Sequence, residues 1–167
     1  MRMLNTSSQT SWTYSRTLKP HTDNTDYTEK VTQKPLKTQK SLRPMTTNDI
    51  TYEVRGAIFD VYNSLGPGLL ESVYEEALVF ELQQRGLTVE RQVEVPIHYK
   101  GQELKTPLRL DLLIENTIIV ELKSVEEIKP VFAKQLLTYL RLLDKRVGLL
   151  VNFSANNIQE GIQRIVN

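Results

Sequence analysis

Asp111, Glu121 and Lys123 stand inside two otherwise apolar runs, Leu110 to Ile114 and Ile118 to Leu122. Both runs are short and rich in Leu, Ile and Val, the composition of central strands. Glu115-Asn116-Thr117 is the polar break between them. An unpaired buried charge is costly, so such residues persist in strands when paired, metal-bound or functional. Side chains alternate along a strand, which places Arg109, Asp111 and Leu113 on one face and Ile119, Glu121 and Lys123 on one face. A hairpin closed with Ile114 opposite Ile118 sets Asp111 against Glu121 and Arg109 against Lys123, at a Cβ separation of about 5 Å. Two carboxylates at that range make a hard-oxygen site suited to Mg²⁺ or Mn²⁺. The adjacent ammonium is suited to an anion or a water. A slip of one residue would turn the two carboxylates to opposite faces.

Asp111, nine residues and then Glu121-Leu122-Lys123 resembles the D…(D/E)xK signature of the PD-(D/E)XK nuclease-like superfamily. Gly68-Leu69-Leu70-Glu71-Ser72-Val73-Tyr74 matches the GxxExxY signature that names one branch of it. The resemblance runs from about Ile50 to the end of the chain. It implies an α/β chain, an α+β sandwich with a restriction-endonuclease-like core, in which helices flank a small mixed sheet. It implies Mg²⁺- or Mn²⁺-dependent hydrolysis of phosphodiester bonds in DNA or RNA. Asp111, Glu121 and the Leu122 carbonyl would hold the metal, and Lys123 would orient water or stabilise charge. Glu71 would complete the outer metal shell, and Gln135 would position water or substrate. Tyr74, Arg109 and Tyr139 are candidate substrate contacts. Two other readings compete: a catalytically inactive module that binds nucleic acid or a protein, and a structural cluster in which Lys123 pairs with Asp111 and Glu121.

The elements that must position these residues are legible by period. Ile50, Val54, Ala57, Ile58, Val61 and Leu65 mark one face of a first helix, with Thr47, Asn48 or Asp49 able to cap it. Gly66-Pro67-Gly68 ends it. A second helix is expected from about Leu70 to Arg85, with Gly86 as its terminator. Val73, Ala77 and Phe80, beside Leu78 and Leu82, are its expected buried stripe. Glu71 falls in its first turn, where the helix dipole favours a carboxylate, and Tyr74 shares the face of Glu71.

Thr88 to Tyr99 alternates as a half-exposed strand, with Pro96 marking an edge or bulge and Lys100-Gly101 the turn. His98 reads as a surface residue. Arg91-Gln92-Val93 also resembles the family, without a mechanistic assignment. Pro130 can open a third helix. Its buried stripe would be Phe132, Leu136, Leu137, Leu140 and Leu143, with Gln135 and Tyr139 stacked on another face. Arg146 to Phe153 reads as a buried strand. Ile158, Ile162 and Ile165 recur at helical spacing and predict a closing helix over residues 156–166.

Composition bounds the rest. The 167 residues include no Cys, which excludes disulfides and thiolate metal sites and fits a cytoplasmic location. No apolar run approaches the roughly 20 residues that span a bilayer, so no membrane partner is expected. Nor is there a signal-peptide core, zinc-ligand spacing, phosphate loop or Gly-x-Ser-x-Gly elbow.

The net charge of +1 hides an asymmetry. Residues 1–46 carry eight Lys or Arg against three Asp or Glu, a balance of +5. The remainder carries 13 against 17, a balance of −4. That counts against a strong non-specific grip on nucleic acid, which depends on phosphate neutralisation. Residues 1–46 read as a disordered basic extension and residues 47–167 as the nuclease-like domain. The change of composition also makes Met45 a candidate start.

Overall fold

A computed structural model describes residues 43–167; the expected disordered extension lies almost wholly outside them. Eleven elements follow in order: α1 (Thr47–Leu65), α2 (Glu71–Gln84), β1 (Val89–Val95), β2 (His98–Tyr99), β3 (Gln102–Glu103), β4 (Leu108–Ile114), β5 (Ile118–Lys123), α3 (Pro130–Leu142), β6 (Val147–Asn152), α4 (Ile158–Gly161) and β7 (Ile162–Val166). Five strands form one mixed sheet in the order β1-β4-β5-β6-β7, and β2 and β3 form a separate small hairpin. Only the β5–β6 pair is parallel. Among the described residues no helix is long and apolar enough to cross a membrane.

Local chemistry sets the helix ends. Thr46, one residue before the expected caps, closes a reciprocal capping box with Asp49: Thr46 Oγ1 accepts from the Asp49 N–H at 3.2 Å, and Asp49 Oδ2 accepts from the Thr46 N–H at 2.9 Å. At the other end of α2, Gly86 takes φ 78°. Its N–H donates to the Gln83 carbonyl and the Leu87 N–H to the Leu82 carbonyl, the paired bonds of a Schellman turn. Pro130 occupies the first turn of α3, where a missing N–H costs nothing.

The sheet carries a core on each face. One joins Ile50, Val54, Ile58, Tyr74, Leu78 and Leu82 of α1 and α2 to Ile118, Val120, Leu122, Leu149 and Val151 of β5 and β6. The other joins Leu136, Tyr139 and Leu140 of α3 to Leu110, Leu113, Ile119 and Leu150. The strand residues of both are shielded from water, and that burial is the dominant favourable contribution to the fold.

Strict alternation fails at one place. Leu112 and Ile114 face the first core, yet Leu110 and Leu108 belong to the second. On β1, Val89 packs with the first core, but Val93 and Val95 pack with the second. The change falls between the pairs Arg91–Leu112 and Val93–Leu110. Gln92 sits there with φ 49°, a left-handed conformation that reverses the alternation of its strand.

Three expectations are corrected. On α2 the buried residues are Tyr74, Glu75, Leu78, Val79 and Leu82, while Val73 and Phe80 are exposed. Apolar residues surround this helix, so period alone selects no face; the Tyr74 ring, stacked on Phe153 at 4.3 Å, selects it. The strand after α2 stops at Val95 because Pro96 cannot donate to a ladder. The chain then turns through Lys100 and Gly101, both at positive φ. His98 is exposed, as expected.

The closing segment is a helix only over Ile158–Gly161, and Ile162–Val166 is a strand antiparallel to β6. The open edge of β6 offers a full ladder of hydrogen bonds to β-branched Ile162, Ile165 and Val166. That outweighs a short helix held by three isoleucines.

Candidate active site

The β4–β5 hairpin takes the expected register. Ile114 pairs with Ile118, Leu113 with Ile119 and Leu112 with Val120. Glu115 and Asn116 make the turn in left-handed conformations, at φ 50° and 48°. Leu112–Val120 is the last paired step of the ladder. Immediately beyond it, Asp111 Oδ2 accepts a hydrogen bond from the Leu122 backbone N–H at 2.7 Å. A side-chain carboxylate thus takes the place of a ladder acceptor, which fixes it beside Glu121 and Lys123.

Lys123 Nζ is the centre of the cluster. It lies 2.9 Å from Glu121 Oε1, 3.9 Å from Asp111 Oδ2 and 3.8 Å from Glu71 Oε1. It also donates to the Leu122 carbonyl. The Phe132 ring of α3 lies under it, with its centroid 5.6 Å away. One ammonium therefore serves three carboxylates from β5, β4 and α2. Glu121 is 3% exposed, and its Oε2 has no hydrogen-bond partner. Such an orphaned buried oxygen calls for an explanation.

Electrostatics agree with the geometry. Burial, then the Asp111 charge, pushes the Glu121 carboxyl up to about 7. Burial also raises Asp111, against the pull of the Leu122 N–H and of Lys123. It raises Glu71 too, with Lys123 opposing and Asp111 adding to the rise. Burial alone would lower Lys123, but Glu121, Asp111 and Glu71 together hold it above its usual value.

The structure also explains how Glu71 arrives. Gly66 and Gly68 adopt φ 70° and 101°, which a side chain would strain. The Tyr74 hydroxyl donates to the Gly66 carbonyl at 2.6 Å and accepts from the Leu69 N–H at 3.1 Å. Ser124, directly after Lys123, donates to the Leu69 carbonyl at 2.7 Å. The loop is thereby tied to the end of β5, and Glu71, at the first position of α2, faces Lys123.

Tyr74 and Tyr139, the candidate substrate contacts of α2 and α3, are packed residues. Both are buried, and both hydroxyls are committed to backbone carbonyls: Tyr74 to Gly66, Tyr139 to Arg109 at 2.9 Å. Arg109 does not stand against Lys123. The change of face between Leu112 and Leu110 intervenes, and Arg109 is exposed, paired with Glu94 at 3.2 Å. Gln135 Nε2 donates to the Tyr139 hydroxyl at 2.7 Å, so Gln135 approaches from the α3 side.

Three residues were not legible as parts of the site. Asn152, buried at the end of β6, brackets Val125: its Nδ2 donates to the Val125 carbonyl and its Oδ1 accepts from the Val125 N–H. That fixes the chain as it leaves Lys123. Glu75, one turn after Glu71, is buried and receives Arg91 Nε at 2.9 Å and Gln92 Nε2 at 2.6 Å. Gln92 stands opposite Asp111 by register and pulls its pKa down. The available signals were a carboxylate four residues after Glu71 on the same helix face and the family resemblance of Arg91-Gln92-Val93, which came without a mechanistic assignment.

Among the described residues no three His, Asp or Glu side chains converge closely enough to hold a metal by themselves. The Lys123 ammonium stands among the carboxylates instead. The donor set nevertheless fits a hard divalent cation: carboxylate and carbonyl oxygens, three carboxyl groups against the single charge of Lys123, and an orphaned oxygen on Glu121.

A family model described as the PD-(D/E)XK nuclease superfamily matches residues 48–165, from the second residue of α1 to the penultimate residue of β7. Asp111, Glu121, Lys123, Glu71 and Gln135 all fall inside the match. The mixed five-stranded sheet with flanking helices is consistent with the restriction-endonuclease-like fold of that superfamily. No curated protein and no solved structure matches the chain.

Proposed function

The chain belongs to the PD-(D/E)XK nuclease superfamily, and from that premise we propose that it is a metal-dependent nuclease of the GxxExxY branch. The branch assignment is supported by the roles of its three signature residues: Gly68 permits the loop, Glu71 faces Lys123, and Tyr74 ties the loop to its own helix. The nuclease reading is carried by one observation: Lys123 Nζ lies within 4 Å of three carboxylates while a buried oxygen of one of them has no partner.

In this reading Asp111, Glu121 and the Leu122 carbonyl hold Mg²⁺ or Mn²⁺, with Glu71 on the outer side. Such an ion supplies Lewis-acid chemistry, acidifying water and neutralising charge on a phosphate. Lys123 has three N–H donors and a full positive charge. It orients the attacking water and stabilises negative charge on the phosphate under attack. The Leu122 N–H keeps the Asp111 carboxylate in place while this happens. Gln135, anchored through the Tyr139 hydroxyl to the Arg109 carbonyl, positions water or substrate from the α3 side. Arg109, exposed beside Glu94, is the candidate phosphate contact.

The charge balance of −4 outside residues 1–46 supports a second reading, an inactive module that binds nucleic acid or a protein. One experiment separates the two. The full chain is incubated with labelled single- and double-stranded DNA and RNA, in Mg²⁺, in Mn²⁺ and in EDTA, beside Asp111→Ala and Lys123→Ala. Cleavage that needs metal and is lost in both variants is the expected result. Folded protein that retains labelled nucleic acid yet cuts nothing in either metal would favour the inactive module.

A further inference from the structure

Gln92, within the stretch Arg91-Gln92-Val93, is in an unusual state. It lies inside a seven-residue strand, yet its φ is 49°. Non-glycine residues rarely hold that conformation, and a strand interior offers no turn to justify it. Strain of this kind persists where surrounding contacts over-determine it, and it concentrates at functional sites. By the flanking pairs, Gln92 stands opposite Asp111.

Its contacts are equally specific. The Gln92 carboxamide has two N–H donors. One reaches Glu75 Oε2 at 2.6 Å. By register the same residue stands across the ladder from Asp111, and its carboxamide draws the Asp111 pKa down. Glu75 is itself buried and is held on its other oxygen by Arg91 Nε at 2.9 Å. A buried carboxylate is expensive unless fully satisfied, so Glu75 has a fixed place and gives Gln92 a fixed place.

We propose that Gln92 is a positioning residue: the chain Arg91–Glu75–Gln92 locks the Asp111 carboxylate at the bond it accepts from the Leu122 N–H, pre-orienting Asp111 as a metal ligand. This rests on the proposed metal site for its consequence, but its structural part stands alone. The left-handed conformation is explained by the same device. An extended Gln92 would leave the alternation of β1 unbroken and direct its side chain to the other face, away from Glu75. Groups that hold a ligand in orientation commonly govern metal affinity about as strongly as 10- to 100-fold.

The test uses Gln92→Gly in the full chain. Glycine accepts the left-handed conformation without strain, so the fold is kept while the carboxamide is removed. Two readouts are taken. The first is hydrogen exchange of the Leu122 amide in metal-free protein; release of Asp111 is expected to speed it by about tenfold relative to the Val120 amide. The second is Mn²⁺ affinity by calorimetry, expected to fall about tenfold, with Glu75→Gln falling in the same direction. A residue that only shaped the strand would alter melting temperature and leave both readouts unmoved. Unchanged Leu122 exchange in Gln92→Gly overturns the proposal. Faster Leu122 exchange in a chain whose parent takes up no Mn²⁺ would uphold the positioning role and refute the metal site instead.

Discussion

Two clusters in this molecule have the same composition and opposite characters. Each sets one cation among three carboxylates. Around Arg85 they are Glu53, Asp60 and Glu81; around Lys123 they are Glu71, Asp111 and Glu121. The Arg85 guanidinium assigns a different nitrogen to each partner: Nε to Glu81 at 3.1 Å, Nη1 to Glu53 at 3.3 Å and Nη2 to Asp60. Its fork geometry suits that division. It ties α1 to α2, and Gly56 makes room for it, since a Cβ there would lie 2.8 Å from Nη1.

Lys123 is a point charge with one carboxylate at hydrogen-bond distance and two farther away. Its neighbours include a buried oxygen with no partner and three carboxyls that burial raises. The Arg85 cluster is a finished clamp between helices. The Lys123 cluster has a surplus of buried negative charge, the condition that a divalent cation relieves.

The largest effect expected to sharpen this contrast is on activity. Lys123→Ala and Asp111→Ala should each lower metal-dependent cleavage by roughly a hundred- to a thousandfold. Arg85→Ala should leave the rate per folded molecule unchanged. A comparable loss in Arg85→Ala, measured as single-turnover cleavage, would erase the distinction.

The second effect is on stability against pH. Glu121 has a folded-state value of about 7 against an ordinary 4.5, so the folded chain holds a proton that the unfolded chain releases. Its stabilising contribution is complete below about pH 4.5 and is lost as pH rises through about 7. Asp111 and Glu71 shift in the same direction. The metal-free melting temperature should therefore fall between about pH 5 and pH 8, by at most about 3 kcal/mol of stability from Glu121. Glu121→Gln should flatten the slope, and saturating Mg²⁺ should reduce it. A melting temperature that climbs over that range, followed by circular dichroism, would contradict the surplus of buried charge.

Arg85→Ala should come third, costing about 1 to 2 kcal/mol because its partners are partly exposed and screened. Denaturant unfolding measures it, with Mn²⁺ affinity expected to stay at the parent value. The smallest effect is Asp111→Asn. It keeps an acceptor for the Leu122 N–H and removes one repelling charge, so the metal-free melting temperature should rise by a few degrees. A fall of several degrees would make Asp111 a structural partner of Lys123, as Glu81 is of Arg85.

The site hairpin was legible because its sequence leaves little choice. Two apolar runs separated by three polar residues have one register that buries both, and that register brings Asp111 to Glu121. Glu71 was legible through its place in a helix first turn and its signature glycine and tyrosine. The supporting residues were not. Glu75 meets Arg91 and Gln92 only because α2 crosses β1, 16 and 17 residues later. Gln92 adopts its left-handed state without the Gly or Asn that would announce it. Arg109 was misplaced at the same step of the sheet, since alternation counted along β4 through Asp111, the residue opposite Gln92, gives the wrong face. The closing strand was missed because Ile158, Ile162 and Ile165 satisfy a helical period, while the open edge of β6 that captures them is a property of the assembled sheet.

In the proposed reading the Lys123 cluster is a cation site and the Arg85 cluster is not. Mn²⁺ titration of the full chain by calorimetry, at about neutral pH, tests it most directly, with Asp111→Ala and Arg85→Ala alongside. Saturable uptake that Asp111→Ala abolishes and Arg85→Ala leaves intact is expected. No uptake by the folded parent, or uptake that survives Asp111→Ala, would contradict it.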